Sequence, residues 1–464
     1  MAYAALVVSL LAYFMLDVPV QLTDSYSNII AVQRRPLGEL IINNFWNAGY
    51  LRPLLFAPIG ILYQLSDGNY HAWFRGFHVA QLALTVALFV GMLRVRTAVD
   101  MTAVPLALAM LVGIHTFAGT IREAFPVNTF LTVIVCALSA TLIASSRWRW
   151  WSDPMAVLLL AFCVLTVESG LLVWVILVAG YMAGWRGVSR AGLTASTLAV
   201  GAYFAARFWI LDVGTPSLME RSAGFGLRVY EPEELVARFG ESPWPFYAYN
   251  VAASMMSVLF AEPRNGVFWV VRELIALDVE PWTIVNLVAC TGLTVVIARH
   301  VWIRRERWRR WDLEHSDRLI FVFAGVLAAN AAMSYSYAKD VVMSPAGVFF
   351  ALAGFGAASV WLGELRLRSV HVARFAAVVL LVITTAWGIK AIGVHYSVRD
   401  IAWQVRREWA GVDQWLVEQE AVPRTSQERA IKDTLQADAL WRRPARPRLK
   451  IPWPWPGEWF DTSQ

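Results

Sequence analysis

The stretch TDSYSNIIAVQRRPLGELIINNFWNAGYLRPLLFAPIGILYQLSDGNYHAWFR, Thr23–Arg75, is too polar to cross a bilayer and too apolar to leave one. It carries an acid at its start, Asp24, and then Arg34, Arg35, Arg52 and Arg75. Apolar runs flank it at 2–19 and 73–93. A loop of about fifty residues that collects charge between two membrane spans reads as a site rather than a connector.

The rest of the chain supports that frame. Its 464 residues are 58% hydrophobic and 16% charged, with a mean hydropathy of +0.51. A soluble domain is roughly half apolar and about a quarter charged, so the expected class is an all-α polytopic membrane protein. The 23 Trp and 14 Tyr suit interfacial belts. The net charge of +6 does not point to nucleic acid, because the arginines cluster at the ends of apolar runs, as topology signals do. Cys136, Cys163 and Cys290 each sit inside an apolar run, without metal-ligand spacing or a disulfide framework. The first run, Ala2 to Leu16, lacks a basic leader and a small-residue cleavage site, so it is expected to be a retained span.

Spans are expected near 2–19, 73–93, 101–117, 127–145, 154–167, 169–185, 191–211, 282–302, 318–335, 342–363 and 370–392, about eleven helices in all. Alternate turns are basic: Arg94 and Arg96, Arg147 and Arg149, Arg186 and Arg190, the run Arg304–Arg310, then Arg366 and Arg368. Those turns are placed in the cytoplasm, with the N-terminus, in a plasma or inner membrane. A membrane domain over 1–393 then carries outer loops at 20–72 and 212–281, the first with a juxtamembrane helix. A tail over 394–464 lies on the outer, periplasmic face. Six prolines, from Pro216 to Pro281, keep the helices of the second loop short. Its segment Phe246 to Phe260 is apolar enough to lie on the membrane or dip into it. The tail predicts an amphipathic helix near 398–420, from Ile401, Val405, Trp409, Val412 and Leu416, expected to pack on the outer face of the bundle.

Ionisable groups near the outer ends of spans are costly unless paired or functional. The first loop offers Asp24, Tyr26, Arg34, Arg35 and Arg52. The turn after the third span offers His115, Glu123 and Asn128, that between the fifth and sixth Glu168, and that after the ninth Tyr337, Lys339 and Asp340. On one side of the membrane they can converge: guanidinium and ammonium groups hold phosphate oxygens, and a carboxylate takes a proton from an attacking hydroxyl. Each has a plainer reading. Asp24 can cap a helix, Arg34 and Arg35 can meet headgroups, and Arg52 can end an extended approach to the helix after Pro53. Glu123 can pair with Arg122 and Lys339 with Asp340, His115 can be an interfacial histidine, and Glu168, with no cation beside it in sequence, can be a solvated helix end. No phosphate-binding glycine loop, nucleophile elbow or zinc-protease motif is present.

Four stretches resemble the GT-C superfamily of integral-membrane glycosyltransferases, which includes protein O-mannosyltransferases and bacterial lipid-carrier-dependent enzymes. Thr23-Asp24-Ser25-Tyr26 is similar to its early acidic loop, and Tyr50-Leu51-Arg52-Pro53-Leu54 to its approach to a juxtamembrane helix. Val167-Glu168-Ser169-Gly170 resembles its Lys-Glu-x-Gly turn, and Lys339-Asp340 through Pro345 its late outer turn. The likeness covers 1–392. It departs at Val167, where a lysine is usual, and at Asn128, where an aspartate is common.

The resemblance implies transfer of a sugar from a polyprenyl-phosphate donor to an acceptor hydroxyl on a glycan, lipid or protein at the outer face. Asp24 would be the base and Glu123 and Glu168 further catalytic acids. Arg34, Arg35, Arg52 and Lys339 would hold the donor phosphate, with Tyr26, His115, Asn128, Tyr337 and Asp340 around the substrates. Whether a divalent metal takes part stays open, since Asn128 stands in place of an acid. Two other readings are a lipid or polysaccharide transporter and a scaffold for envelope enzymes. Transport predicts broken helices and polar groups near the membrane midplane.

Overall fold

The computed structural model describes residues 2–17, 28, 31–32, 35–46, 51–67, 70–113, 129–211, 222–223, 229–230, 232–240, 243–260, 274–277, 279, 281–336 and 340–408. Helices dominate them. In chain order these are α1 (Ala2–Asp17), α2 (Leu37–Trp46), α3 (Ala57–Leu65), α4 (Tyr70–Met92), α5 (Ala98–Leu111), α6 (Thr129–Ser145), α7 (Ser152–Thr166), α8 (Leu171–Met182) and α9 (Arg190–Ala205). They continue with α10 (Pro232–Phe239), α11 (Trp244–Leu259), α12 (Pro281–Ile303), α13 (Arg305–Arg309), α14 (His315–Met333), α15 (Ser344–Arg368) and α16 (Val370–Glu408). One pair of two-residue antiparallel strands, Ser222–Ala223 and Val229–Tyr230, is the exception.

Among the described residues, six helices are long and apolar enough to cross a membrane: His71–Met92, Arg190–Ile210, Ile284–Ile303, His315–Met333, Val341–Arg368 and Val370–Gly393. Five shorter apolar helices, Ala2–Leu16, Ala98–Leu111, Thr129–Ser145, Ser152–Thr166 and Glu168–Met182, accompany them. These are the helices of a multi-pass membrane protein. The shorter ones fall below the twenty or so residues that a straight crossing takes.

The core is built around α15. Its apolar window is 94% buried, and it packs against α5, α12, α14 and α16. Small residues make this close approach feasible, since lipid supplies no hydrophobic drive and packing must do the work. Gly354 is one such contact: a Cβ there would lie 2.5 Å from the Leu293 side chain of α12.

The basic turns gather at one end of this bundle. Gly187 donates its N–H to the Ala144 carbonyl at 2.9 Å, and Arg147 and Arg186 pair as a short bridge. Trp311 Nε1 reaches the Met182 carbonyl at 2.6 Å. His315, the first residue of α14, bonds the Met92 backbone, so the α4–α5 turn sits beside the start of α14. Burial there, with Arg96 and Arg318 nearby, lowers the Arg94 guanidinium from its ordinary value. Arg299 at the end of α12 bonds Glu364 at the end of α15 at 3.0 Å.

This arginine-rich end is more ordered than a set of solvated charges. The Asp317 carboxylate, fully buried, accepts from His300 Nε2 at 2.7 Å, from Trp308 Nε1 at 3.1 Å and from the Glu314 backbone N–H at 2.9 Å. Arg304 lies 3.4 Å from its second oxygen. Glu314 in turn bonds Arg304 at 2.6 Å and Arg307 at 2.5 Å. Glu314 and Asp317 also close a reciprocal cap at the start of α14, satisfying amide groups that a helix end would leave open.

Two segments carry the chain beyond the long helices. The last helix does not stop near 393. It runs unbroken to Glu408, so the residues 398–408 of the predicted tail helix continue α16, and those from Trp409 on lie outside the described residues. The segment 246–260 is helical and packs against α12, α14 and α15 rather than standing apart from them.

Candidate functional site

At the opposite end of the bundle, α7 stops and the chain turns sharply into α8. Val167 is extended (φ −160°, ψ 145°), and Glu168–Gly170 form a single tight helical turn. The turn sits hard against the last turn of α7. A Cβ on Gly170 would come within 2.3 Å of the Cys163 carbonyl carbon and 2.4 Å of the Val164 nitrogen, both backbone atoms. Only glycine fits without moving the turn. That close docking aims Glu168 away from α7, at 21% side-chain exposure.

Two arginines meet it there. Arg52 donates from Nε at 2.8 Å and from Nη2 at 2.5 Å, both to Oε2 of Glu168. Arg207 reaches Oε1 from Nη1 at 3.3 Å, and the same nitrogen donates to the Tyr203 hydroxyl at 3.0 Å. Each carboxylate oxygen therefore serves a different guanidinium.

The backbone explains why these groups coincide. Leu54 donates its N–H to the Leu165 carbonyl at 3.0 Å, which pins the Arg52-Pro53-Leu54 stretch onto the end of α7. Beyond α9, residues Ala206–Ile210 widen into a π turn closed by the Leu211 N–H on the Ala206 carbonyl at 2.9 Å. Such turns insert an extra residue into a helix and recur at functional sites. Here the π turn carries Arg207, 5% exposed, one helical step from Tyr203, 7% exposed. A guanidinium this deep is tolerable only because it is paired, and a planar fork suits that better than an ammonium.

The same depth in other helices is also polar. Arg75 in α4, Arg207 and Asn286 in α12 each lie about seventeen residues, roughly 26 Å at 1.5 Å per residue, from the arginine-rich end of their helices. Arg75 is 2% exposed and donates from Nη1 to Nδ1 of His78, 1% exposed, at 3.0 Å. A guanidinium has no acceptor, so this imidazole accepts at Nδ1 and carries its proton on Nε2. Lys390 of α16, buried, bonds Asn286 Oδ1 at 2.5 Å and stands over the Trp387 ring. Gln81 donates to Thr132 Oγ1 at 2.9 Å in the bundle interior, while its amide oxygen has no hydrogen-bond partner among the described residues.

Of the residues the sequence singled out, Glu168 and Arg52 are brought together. Arg35 is more than half exposed and lies 3.9 Å from Glu39, one turn on. Asp340 opens a short helical turn, Asp340–Met343, ahead of α15. Asp24, Tyr26, Arg34, His115, Glu123, Asn128, Tyr337 and Lys339 lie outside the described residues. Arg207, Tyr203, His78 and Lys390 were not singled out. Arg207, His78 and Lys390 each stood inside an expected span, and an ionisable residue within a span is itself a signal of a site.

Among the described residues no group of three or more His, Cys, Asp or Glu side chains could hold a metal ion. In the Glu168 cluster two guanidinium groups converge on one carboxylate, and the Tyr203 hydroxyl accepts from the second of them, Arg207. Comparison with protein-family models, with curated proteins and with solved structures found no match.

Proposed function

We propose that the chain is a membrane glycosyltransferase of the GT-C type, transferring a sugar from a polyprenyl-phosphate donor to an acceptor hydroxyl at the outer face of a plasma or inner membrane. The observation that carries this reading is the Arg52–Glu168–Arg207 cluster. It joins two of the stretches on which the family resemblance rests, Tyr50–Leu54 and Val167–Gly170, although they are 116 residues apart. In this reading the five shorter apolar helices complete a set of about eleven spans, with the arginine-rich end in the cytoplasm by the positive-inside rule.

The chemistry of the cluster supports a division of roles within this reading. Arg52 and Arg207 offer the planar donors that suit a phosphate, and Glu168 holds both forks in place. Both Glu168 oxygens already accept from guanidinium groups, so Glu168 serves better as a positioning residue than as the base. Asp24 takes that role, accepting the proton of the acceptor hydroxyl as it attacks the anomeric carbon. The leaving group is a phosphate, stabilised where its charge develops by the two arginines, so no strong general acid is needed. Glu123, Lys339 and the remaining outer-turn residues complete the substrate surroundings.

A second reading, transport of a lipid or polysaccharide, is favoured by one specific feature. Gln81 and Thr132 form a buried polar contact between two helices of the bundle. One assay separates the two. Purified protein is given radiolabelled polyprenyl-phosphate sugars and membrane extract, beside Asp24→Asn and Arg207→Gln. Sugar transfer that both substitutions abolish supports the enzyme. Absence of transfer with every donor, together with movement of labelled lipid across proteoliposomes, supports the transporter. Metal dependence is read by adding EDTA to the same reaction.

A further inference from the structure

Helix α11 is amphipathic in the wrong sense for a surface helix. Its buried face carries the polar side chains Asn250, Ser254 and Ser257, at steps of four and three residues and at most 1% exposed, beside the apolar Phe246, Ala253 and Val258. Its outward residues are apolar or aromatic, with Tyr249 48% exposed and Ala248 and Ala252 also exposed. A helix lying in the headgroup layer does the opposite, burying its apolar face and leaving polar groups to water. Polar inside and apolar outside is the arrangement of a helix surrounded by hydrocarbon.

Its two ends lie at different depths. Near the start, Asn250 Nδ2 donates to the Tyr335 carbonyl at 2.9 Å, and Tyr247 packs edge-on to the Tyr335 ring. Tyr335 follows directly on the end of α14, at the Glu168 end of the bundle. At the far end, the Leu259 carbonyl accepts from Thr294 Oγ1 at 2.6 Å. Thr294 stands about thirteen residues into α12, roughly 20 Å from the start of that helix. A hydrocarbon core is about 30 Å thick, so α11 stops near its middle. The next crossing helix, α12, begins at Pro281, back at the Glu168 end. The start of α11 and the start of α12 therefore lie at the same end of the bundle.

We infer that residues 244–259 form a re-entrant helix, inserted from the Glu168 end to the middle of the membrane, with lipid acyl chains against its Tyr249–Ala252–Met256 face. Those residues continue the apolar surface of α12, where Ile284, Val288 and Val295 are 50%, 52% and 58% exposed. The Thr294 hydroxyl does what a membrane requires, satisfying a carbonyl at a helix end that water cannot reach. The inference is independent of the catalytic reading, since it uses none of the residues of the Glu168 cluster.

Spin labels test it in the full chain reconstituted in nanodiscs. Single cysteines replace Tyr249, Ala252 and Met256, with Ile284→Cys and Val295→Cys as shallow and deep lipid-facing references. The native cysteines are buried, and the unsubstituted protein sets the background. The ratio of oxygen to water-soluble nickel collision rates should rise from 249 to 256, with 249 matching Ile284 and 256 shifted toward Val295. Equal, water-exposed values at 249 and 256 would place the helix on the surface and overturn the inference. Low collision rates with both reagents at 252 and 256 would mean that protein covers this face, which overturns it as well.

Discussion

Glu168 and Asp317 are both carboxylates held by arginines at the ends of helices, yet their partners come from different distances along the chain. Asp317 is served by His300, Arg304, Trp308 and Glu314, all within 17 residues of it. Glu168 is served by Arg52 and Arg207, 116 and 39 residues away. Asp317 is fully buried, whereas Glu168 and Arg52 keep 21% and 29% of their side chains exposed. The first arrangement caps a helix and locks a turn. The second clamps three remote segments and keeps part of its surface exposed. Closed and local reads as structure, open and long-range as a site.

The sharpest break in that contrast is Asp317→Ala. It strips a buried imidazole, an indole N–H and a guanidinium of one acceptor, so the expected loss is about 3–5 kcal/mol, read by thermal unfolding in detergent. If Asp317→Ala is neutral, the arginine-rich end is not the lock described above. Gly170→Ala comes next. Its Cβ would collide with backbone rather than with a movable side chain, costing about 1–3 kcal/mol and displacing Glu168. Unchanged stability together with unchanged phosphate-lipid binding would show that the tight turn does not aim the carboxylate.

Glu168→Ala should cost less stability than Asp317→Ala, about 2 kcal/mol, because solvent reaches part of the cluster and only Arg207 is left deeply buried. Its effect on binding should be the larger of the two. Glu168→Gln keeps one acceptor oxygen for one of the two guanidinium groups and should recover part of the affinity for a polyprenyl phosphate, measured with inorganic phosphate as competitor. Equal binding losses in the Asp317 and Glu168 variants would erase the distinction between lock and site.

The smallest effect is one of pH. Hydrogen bonds from Arg304, then Arg307, hold the Glu314 carboxyl below its ordinary value. A carboxyl depressed in the folded state contributes stability that is present above its unfolded value, about 4.3, and is lost as pH falls through the folded value. The acid limb of a stability profile should therefore flatten slightly in Glu314→Gln below about pH 4. A profile identical to that of the parent protein would show that these exposed pairs hold little.

Much of the architecture was legible because membranes impose simple rules. Long apolar runs must be helical, since backbone groups find no water in hydrocarbon. The alternation of basic turns put five connections on one side, and Ala144–Gly187, Met182–Trp311 and Arg299–Glu364 show those turns gathered at one end. Lengths were less legible. Five apolar helices are shorter than a full crossing, and α16 runs from its predicted end near 392 on to Glu408, roughly four turns further.

The site was half legible. Glu168 and Arg52 stood out as charges at span ends, but Glu168 was read as having no cation nearby because none adjoins it in sequence. Arg207 escaped because it lies inside an apolar run, where composition hides a single charge. Its partner is set by how the end of α9 passes α7, and by a π turn that hydrophobic periodicity does not announce.

Sequence alone determined that this chain would be helical, membrane-embedded and basic at one end, because those properties follow from composition and from the ends of apolar runs. Only the tertiary structure decided that Arg52, Glu168 and Arg207 would meet, and that α11 would turn its polar face inward. A charge's partner depends on which helices pack together, and that is fixed by the shapes of buried surfaces rather than by neighbours along the chain.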